Sequence, residues 1–323
     1  MRAVQAIRFG GPEVLVATEL PEPDPGPGEV VVAVEAANVI YLDTLIRSGS
    51  AQDFFPVEPP YVPGGSVVGR VAEIGAGVDP SWKGTLVLTR TDNGGYAERV
   101  VVPEAGLLTV PPELNPQYAL ALLVDGATAM SLRRAARFRR NDSVLVLAAA
   151  GGAANLVVQL ARLAGARVIG AASSPNKREL ARSLGAEETV DYTAADWVDR
   201  VRSLNGGAGV DVVIDGAGAE LGSAAFPLVV DGGRFVSYGT AGGDFAEVDA
   251  QEAARRGITA LGLYDIQAQE ELGMGDLARL ALEEARNGRI HPHIGSTLPL
   301  ERAAEAHRDL ADRRVVGKVL LVP

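Results

Sequence analysis

The stretch Ser143 to Ser174, SVLVLAAAGGAANLVVQLARLAGARVIGAASS, decides the fold. Its opening run, Val144 to Ala148, is short and apolar, as a strand buried on both faces of a parallel sheet must be. Small residues, Ala149 to Ala154, form a turn. From Leu156 the apolar positions Val157, Leu160, Ala161 and Ala164 fall at helical spacing until Gly165, and Arg167 to Ala171 reads as a second buried strand. The result is one β-α-β unit of about 30 residues, the size of a dinucleotide-binding half-fold. In such a unit a diphosphate must sit against backbone N–H groups at the helix N-terminus. Gly151 and Gly152, with Ala150 and Ala153 beside them, leave room for that approach. Helix-on-strand packing alone also selects small residues at such a turn.

Working outward, 323 residues suit two domains, and 47% hydrophobic with 22% charged residues describes a globular chain with ample core. No run approaches the ~18 apolar residues of a membrane-spanning helix, and MRAVQAIRFGG lacks the apolar centre of a signal peptide. A cytoplasmic protein with no membrane contact is expected. The net charge of −11 offers no basic footprint for nucleic acid. Cysteine is absent, so neither disulfides nor thiolate metal sites can form, and the only histidines, His291, His293 and His307, lie far down the chain. No metal is expected.

Residues 1–122 read as strands and turns: a hairpin around Gly10-Gly11-Pro12, the alternating strand VVVAVEAANV, then SVVGRVAEIGAG with a glycine suited to a bulge or close approach. YLDTLIRSG is a helix, and QYALALLVDGATAMSLRRAARF bridges two domains. Beyond Ser174 come a helix to Gly185, the strand ETVDY, a helix before Gly206, the strand VDVVIDGAG, a weaker helix over Leu221–Val230, and the strands RFVSYG and ITALGL. That alternation predicts a doubly wound parallel sheet, hence an α/β protein. A helix, ARLALEEARNGRI, an amphipathic stretch, LERAAEAHRDLADRR, and the strand KVLLVP end the chain. His307 is expected to be structural, with His291 and His293 in a loop.

These landmarks resemble the medium-chain dehydrogenase/reductase family, in its zinc-free quinone oxidoreductase and enoyl reductase branch. The resemblance runs through DTLIRSG (43–49), PGGSVVGRVAEIGAGV (63–78), GGYAERVVVP (94–103), GAT (126–128), AAAGGAA (148–154), GVDVVIDGAG (209–218) and GGRFVSYG (232–239). It implies a GroES-like catalytic domain over 1–122, completed by 263–323, and a Rossmann dinucleotide-binding domain over 123–262. It also implies a homodimer. Three departures stand out. Ile40 replaces the Cys of zinc enzymes and the Asn common in the zinc-free branch. Gly64-Gly65-Ser66 replaces Gly-His-Glu or Gly-Thr-Glu, and Gly-Gly-Ala-Ala replaces Gly-Gly-Val-Gly at the turn.

The second strand ends in Ala172, Ser173 and Ser174 rather than in an acid that would bind a ribose 2′-hydroxyl, with Lys177 and Arg178 one turn on. This favours NADPH over NADH, although a Lys-Arg pair is also an ordinary solvated helix face. By resemblance Tyr192 and Arg313 would join the 2′-phosphate contacts, and Thr128, Tyr238 and Gly239 the nicotinamide contacts. Thr128 reads equally as a helix cap. Tyr41, beside the lost Asn, is the candidate donor to a substrate carbonyl oxygen, or else a packed aromatic. Ser66 and Asp125 are weaker catalytic candidates, and Asp43 reads as a cap or structural partner. The expected activity is hydride transfer from NADPH to a small molecule, a quinone or an α,β-unsaturated carbonyl. The alternatives are a specialised biosynthetic reductase with an apolar cleft and a redox-inactive nucleotide-binding or sensing protein.

Overall fold

Buried apolar residues at most positions of the central strands set the architecture, since such strands need cover on both faces. The structure, a computed structural model, describes residues 1–323. It divides into one unit of Met1–Val124 with Ile294–Pro323 and a second of Asp125–His293.

In the first unit β1 (Arg2–Ala6) and β2 (Leu15–Glu19) form an antiparallel hairpin through the turn Pro12–Val14. There follow β3 (Glu29–Val39), α1 (Tyr41–Ser48), β4 (Ser66–Ile74), β5 (Leu86–Arg90), β6 (Arg99–Pro103), β7 (Leu108–Thr109) and α2 (Pro116–Ala121). Val30, Val32, Val67, Tyr96 and Leu321 pack in the core of this unit. Gly69 in β4 meets the expected close approach: a Cβ there would overlap the Ala33 carbonyl, beside the register shift between Val34 and Ala36.

Asn115 caps α2, its side chain accepting from the Gln117 N–H at 2.9 Å. A π-helical turn, Leu122–Gly126, then continues into α3 (Ala127–Ala136), so the bridging segment is one helical run. The second unit continues with β8 (Ser143–Leu147), α4 (Gly152–Leu163), β9 (Arg167–Ala172), α5 (Pro175–Ser183), β10 (Glu188–Asp191), α6 (Trp197–Leu204), β11 (Val210–Asp215), α7 (Ala219–Ala225), β12 (Val229–Ser237), α8 (Ala250–Arg255), β13 (Thr259–Leu261), α9 (Leu263–Gln269) and α10 (Met274–Arg286). The sheet order is β10-β9-β8-β11-β12-β13, with every pairing parallel. This is the doubly wound Rossmann arrangement, with its switch point between β8 and β11.

Two expectations are corrected. The helix read over Leu221–Val230 stops at Ala225, because Pro227 has no N–H to continue it and Val229 already enters β12. The domain boundaries lie at 124/125 and 293/294 rather than 122/123 and 262/263. Residues 263–293 stay with the parallel sheet because α10 buries Leu277, Ala278, Ala281, Leu282 and Ala285 and packs on α3. Only β14 (Ile294–Pro299), α11 (Ala303–Ala311) and β15 (Lys318–Val322) return to the first unit, where β15 pairs antiparallel with β3, placing Val319 opposite Val39. That completes the GroES-like sheet. No helix is long and apolar enough to cross a membrane.

Arg234 closes the C-terminal end of α3. Its Nη1 donates to the Ala136 and Arg137 carbonyls, both at 2.8 Å, and its Nη2 pairs with Asp142 at 2.9 Å in a nearly buried ion pair. Replacing Arg234 by Ala leaves the Asp142 carboxylate with the Arg139 N–H but no cation, and removes a donor from two carbonyls. Urea denaturation of Arg234→Ala should show a loss of about 3 kcal/mol, and Arg234→Lys should recover only part of it, because an ammonium lacks the planar fork.

Candidate functional site

Parallel pairing sets the carboxyl ends of the strands along one edge of the second unit, and the predicted cofactor residues gather there. Ala150, Gly151, Gly152 and Ala153 follow β8, Ser173 and Ser174 follow β9, Tyr192 follows β10, and Tyr238 and Gly239 follow β12. Gly151 is the extended N-cap of α4, whose first-turn N–H groups have no helical acceptor. Asn155 stiffens the turn: its buried Nδ2 donates to the Gly151 and Gly152 carbonyls, both at 2.8 Å. Ala148, at the head of the turn, has φ 52°, a left-handed conformation uncommon for a residue with a Cβ.

Gly152 is needed for a reason the sequence did not reveal. A Cβ at 152 would overlap the Asp125 carboxylate, which the π-helical turn sets against the first turn of α4. The same carboxylate acts on Tyr238. Burial first, then Asp125 and Asp215, push the Tyr238 phenol well above its ordinary value, so it stays a neutral donor. Asp215 itself organises the switch point: Oδ1 accepts from the Ala217 and Gly218 N–H groups at 2.9 and 2.8 Å, and Oδ2 from the Ser237 hydroxyl at 2.8 Å. Burial raises its carboxyl pKa against those donors. Its place in VDVVIDGAG, at a strand end before glycines, was the signal that could have found it.

Ser174 is the N-cap of α5, accepting from the Lys177 N–H at 3.4 Å. The Arg178 guanidinium is engaged by Asp191 at 2.7 Å. Thr128 lies within the helical run rather than at its start, since its N-cap position, Gly126, is itself helical; the capping alternative therefore falls. Arg313 belongs to the first unit, just beyond α11 with φ 55°.

The first unit holds the other candidates. Tyr41 opens α1, half-buried, and Ile40 is its extended N-cap. Asp43 plays the capping role expected of it, with Oδ2 accepting from the Ile40 N–H at 2.9 Å. Ser66 is only 1% exposed, and its hydroxyl accepts from Asn38 Nδ2 at 2.9 Å, while the same amide donates to the Leu120 carbonyl at 3.0 Å. Ser66 therefore ties β4 to β3 with its hydroxyl engaged and buried, which leaves little of it for chemistry. His307 is fully buried, as a structural residue, and His291 and His293 lie in the loop before β14. Around His307 the chain builds a cluster that sequence reading missed, because residues 43, 96 and 307 carry no common spacing. Tyr96 Oη lies 3.1 Å from Asp43 Oδ2 and 3.0 Å from His307 Nε2, and Arg47 Nη1 lies 3.4 Å from His307 Nδ1. Burial pushes the Asp43 carboxyl up to about 6 and, with the Arg47 charge, pulls the His307 imidazole down to about 3.

No group of three or more His, Asp or Glu side chains is placed to hold a metal, and Ile40 offers no donor atom. A dinucleotide does fit the second unit, on the small-residue turn, the free first-turn N–H groups of α4 and the acid-free end of β9.

Two family patterns match the chain: the Alcohol dehydrogenase GroES-like domain over residues 26–112 and the Zinc-binding dehydrogenase over 152–276. A 2-haloacrylate reductase from Burkholderia sp is 32% identical, over 97% of this chain and 96% of that protein. Among solved structures, a quinone oxidoreductase from Escherichia coli complexed with NADPH has a TM-score of 0.89 at 26% identity, covering 100% of both chains. An NAD-dependent alcohol dehydrogenase has a TM-score of 0.87 at 35% identity, again covering 100% of both.

The buried acid and imidazole make opposite pH contributions to stability. Asp43, raised from 3.8, keeps its proton where the unfolded chain has lost it, so its contribution is present at low pH and is lost as pH rises to about 6. His307, lowered from 6.5, contributes above that value and is lost as pH falls toward about 3. The slopes offset between about pH 4 and 6. Relative to wild type, Asp43→Asn should lose stability as pH falls through that window, and His307→Gln should gain it, by up to about 1.4 kcal/mol per pH unit in urea titrations.

Proposed function

The chain belongs to the medium-chain dehydrogenase/reductase family, and from that premise we propose that it is a zinc-independent, NADPH-dependent reductase of quinones or α,β-unsaturated carbonyl compounds. The carboxyl edge of the parallel sheet carries this reading. There the small-residue turn at Gly151 and Gly152 and the serines at 173 and 174 form one continuous row suited to a phosphorylated dinucleotide. The solved relative with NADPH supports it, and so does a 2-haloacrylate reductase, whose named substrate class is a conjugated, electron-poor alkene.

When bound, the reduced nicotinamide supplies a hydride to the electron-poor carbon of the substrate. The protein's part is to hold the reacting groups together, exclude water and stabilise the negative charge that moves to the carbonyl oxygen. Tyr41 is the donor assigned to that oxygen. Its hydroxyl makes no hydrogen bond within the chain, and a phenol donates without ionising. Protonation at the second carbon comes from solvent. Tyr238, kept neutral, and Thr128 serve the nicotinamide end, while Ser173, Ser174 and Lys177 serve the 2′-phosphate, with Arg178 partly neutralised by Asp191.

Ile40 is apolar and Ser66 is locked inside the sheet, which favours substrates selected by shape over those recognised by fixed polar contacts. A homodimer agrees with the open outer edge of β13.

Purified protein should oxidise NADPH, followed by loss of reduced-nicotinamide absorbance, when given a quinone or enone. NADPH should serve at least about tenfold better than NADH, with Lys177→Ala narrowing the gap. Tyr41→Phe should lower kcat by about 10- to 100-fold with an unchanged KM for NADPH. Absence of turnover across a broad panel of quinones and enones would sink the reductase reading, and equal use of NADH would sink the cofactor preference alone.

A further inference from the structure

The cluster beneath α1 has a direction that its chemistry fixes. A guanidinium only donates, so Arg47 Nη1 at 3.4 Å makes His307 Nδ1 an acceptor. His307 is neutral, so its single proton sits on Nε2, which donates to Tyr96 Oη at 3.0 Å. Tyr96 must then turn its own O–H toward Asp43 Oδ2, at 3.1 Å. That oxygen also accepts the Ile40 N–H at 2.9 Å, one residue before Tyr41. The donors from Arg47 through Tyr96 run one way and end on Asp43 Oδ2, which takes the N-cap amide of α1 from the other side.

We propose that Arg47, His307, Tyr96 and Asp43 form a buried, one-way hydrogen-bond relay that positions Tyr41 by holding the Ile40 amide on the Asp43 carboxylate. These are positioning residues, since none of them is assigned contact with substrate or cofactor, and their role rests on the reductase reading for its effect on catalysis. The elements packed on Asp43 account for its charge environment: Tyr96 before β6, Lys318 on β15, Tyr61 before β4, and Arg47 on its own helix, which Glu13 also faces. Burial, opposed by the Ile40 and Tyr96 hydrogen bonds and by the Lys318 charge, leaves the carboxyl titrating at about 6, so the acceptor at the end of the relay weakens just below neutral pH. An ionised carboxylate in the first turn of α1 also suits the helix dipole, which is lost on protonation.

The test reads the relay in two independent ways. In NMR spectra of labelled full-length protein, His307 should show the Nε2–H tautomer. The Ile40 amide and the Tyr41 ring should titrate together near pH 6, and Asp43→Asn should abolish that titration. In steady-state kinetics with NADPH and a quinone, wild-type kcat should fall below about pH 6. Asp43→Asn should have a kcat lower by about 3- to 10-fold without that acid limb, and Tyr96→Phe, which removes a donor to Asp43, should move the limb to higher pH, with KM for NADPH unchanged in both. An Nδ1–H tautomer, an Ile40 amide silent between about pH 5 and 7, or Tyr41 resonances indifferent to Asp43→Asn overturns the relay. Joint titration of Ile40 and Tyr41 in a protein that oxidises no NADPH supports the relay and overturns the reductase reading alone.

Discussion

Parallel pairing is the constraint on which the second unit depends. Once β8 lies between β9 and β11, with every strand running the same way, each connection must leave from the same edge and each helix must begin there. The N-terminus of α4, the loop organised by Asp215 and the residues after β9 and β12 are therefore neighbours by topology, with no need for a dedicated binding motif. Side chains then refine the edge. Asn155 ties down the turn carbonyls, and Asp215 joins the loop after β11 to Ser237 at the end of β12.

Much of this was legible because it rests on short-range patterns. Apolar runs of strand length, helices of about ten residues and glycine at their ends gave the β-α-β alternation of the second unit, and the turn between β8 and α4 followed from residue size. The parts that escaped depend on partners distant in sequence. The amphipathic stripe of α10 shows that it packs, but not that it packs on α3, and so its domain was misplaced. α8 and α9 were missed because they are short, and the former rests on its Asp249 cap more than on periodicity. Ser66 looked available because nothing local marks the Asn38 amide that holds it.

The glycine at 152 shows how one observation serves two explanations. Its missing Cβ is the textual sign of a diphosphate site, yet in the folded chain the Asp125 carboxylate lies against it. A carboxylate is itself a suitable companion for a helix N-terminus, so Asp125 stabilises the turn electrostatically while adding negative charge where a dinucleotide would bring more. The two effects have opposite signs for binding. The turn amides and the uncharged serines after β9 must outweigh that repulsion for a phosphorylated cofactor to be held.

The first unit solves a different problem with the same means. A carboxylate, a phenol, an imidazole and a guanidinium are all taken out of water beneath α1, an arrangement that costs more than apolar packing would. Two features limit that cost. His307 remains neutral, so a single cation and a single anion lie at opposite ends of the chain of donors, and Asp43 carries two hydrogen bonds to the same oxygen. What the arrangement provides that an apolar core could not is direction: the Nε2–H tautomer and the Tyr96 rotor are each determined by the group before them, and Tyr96 and the Ile40 amide both donate to Asp43. Because β15 brings Lys318 and α11 brings His307, that direction exists only after the C-terminal segment has returned to pair with β3.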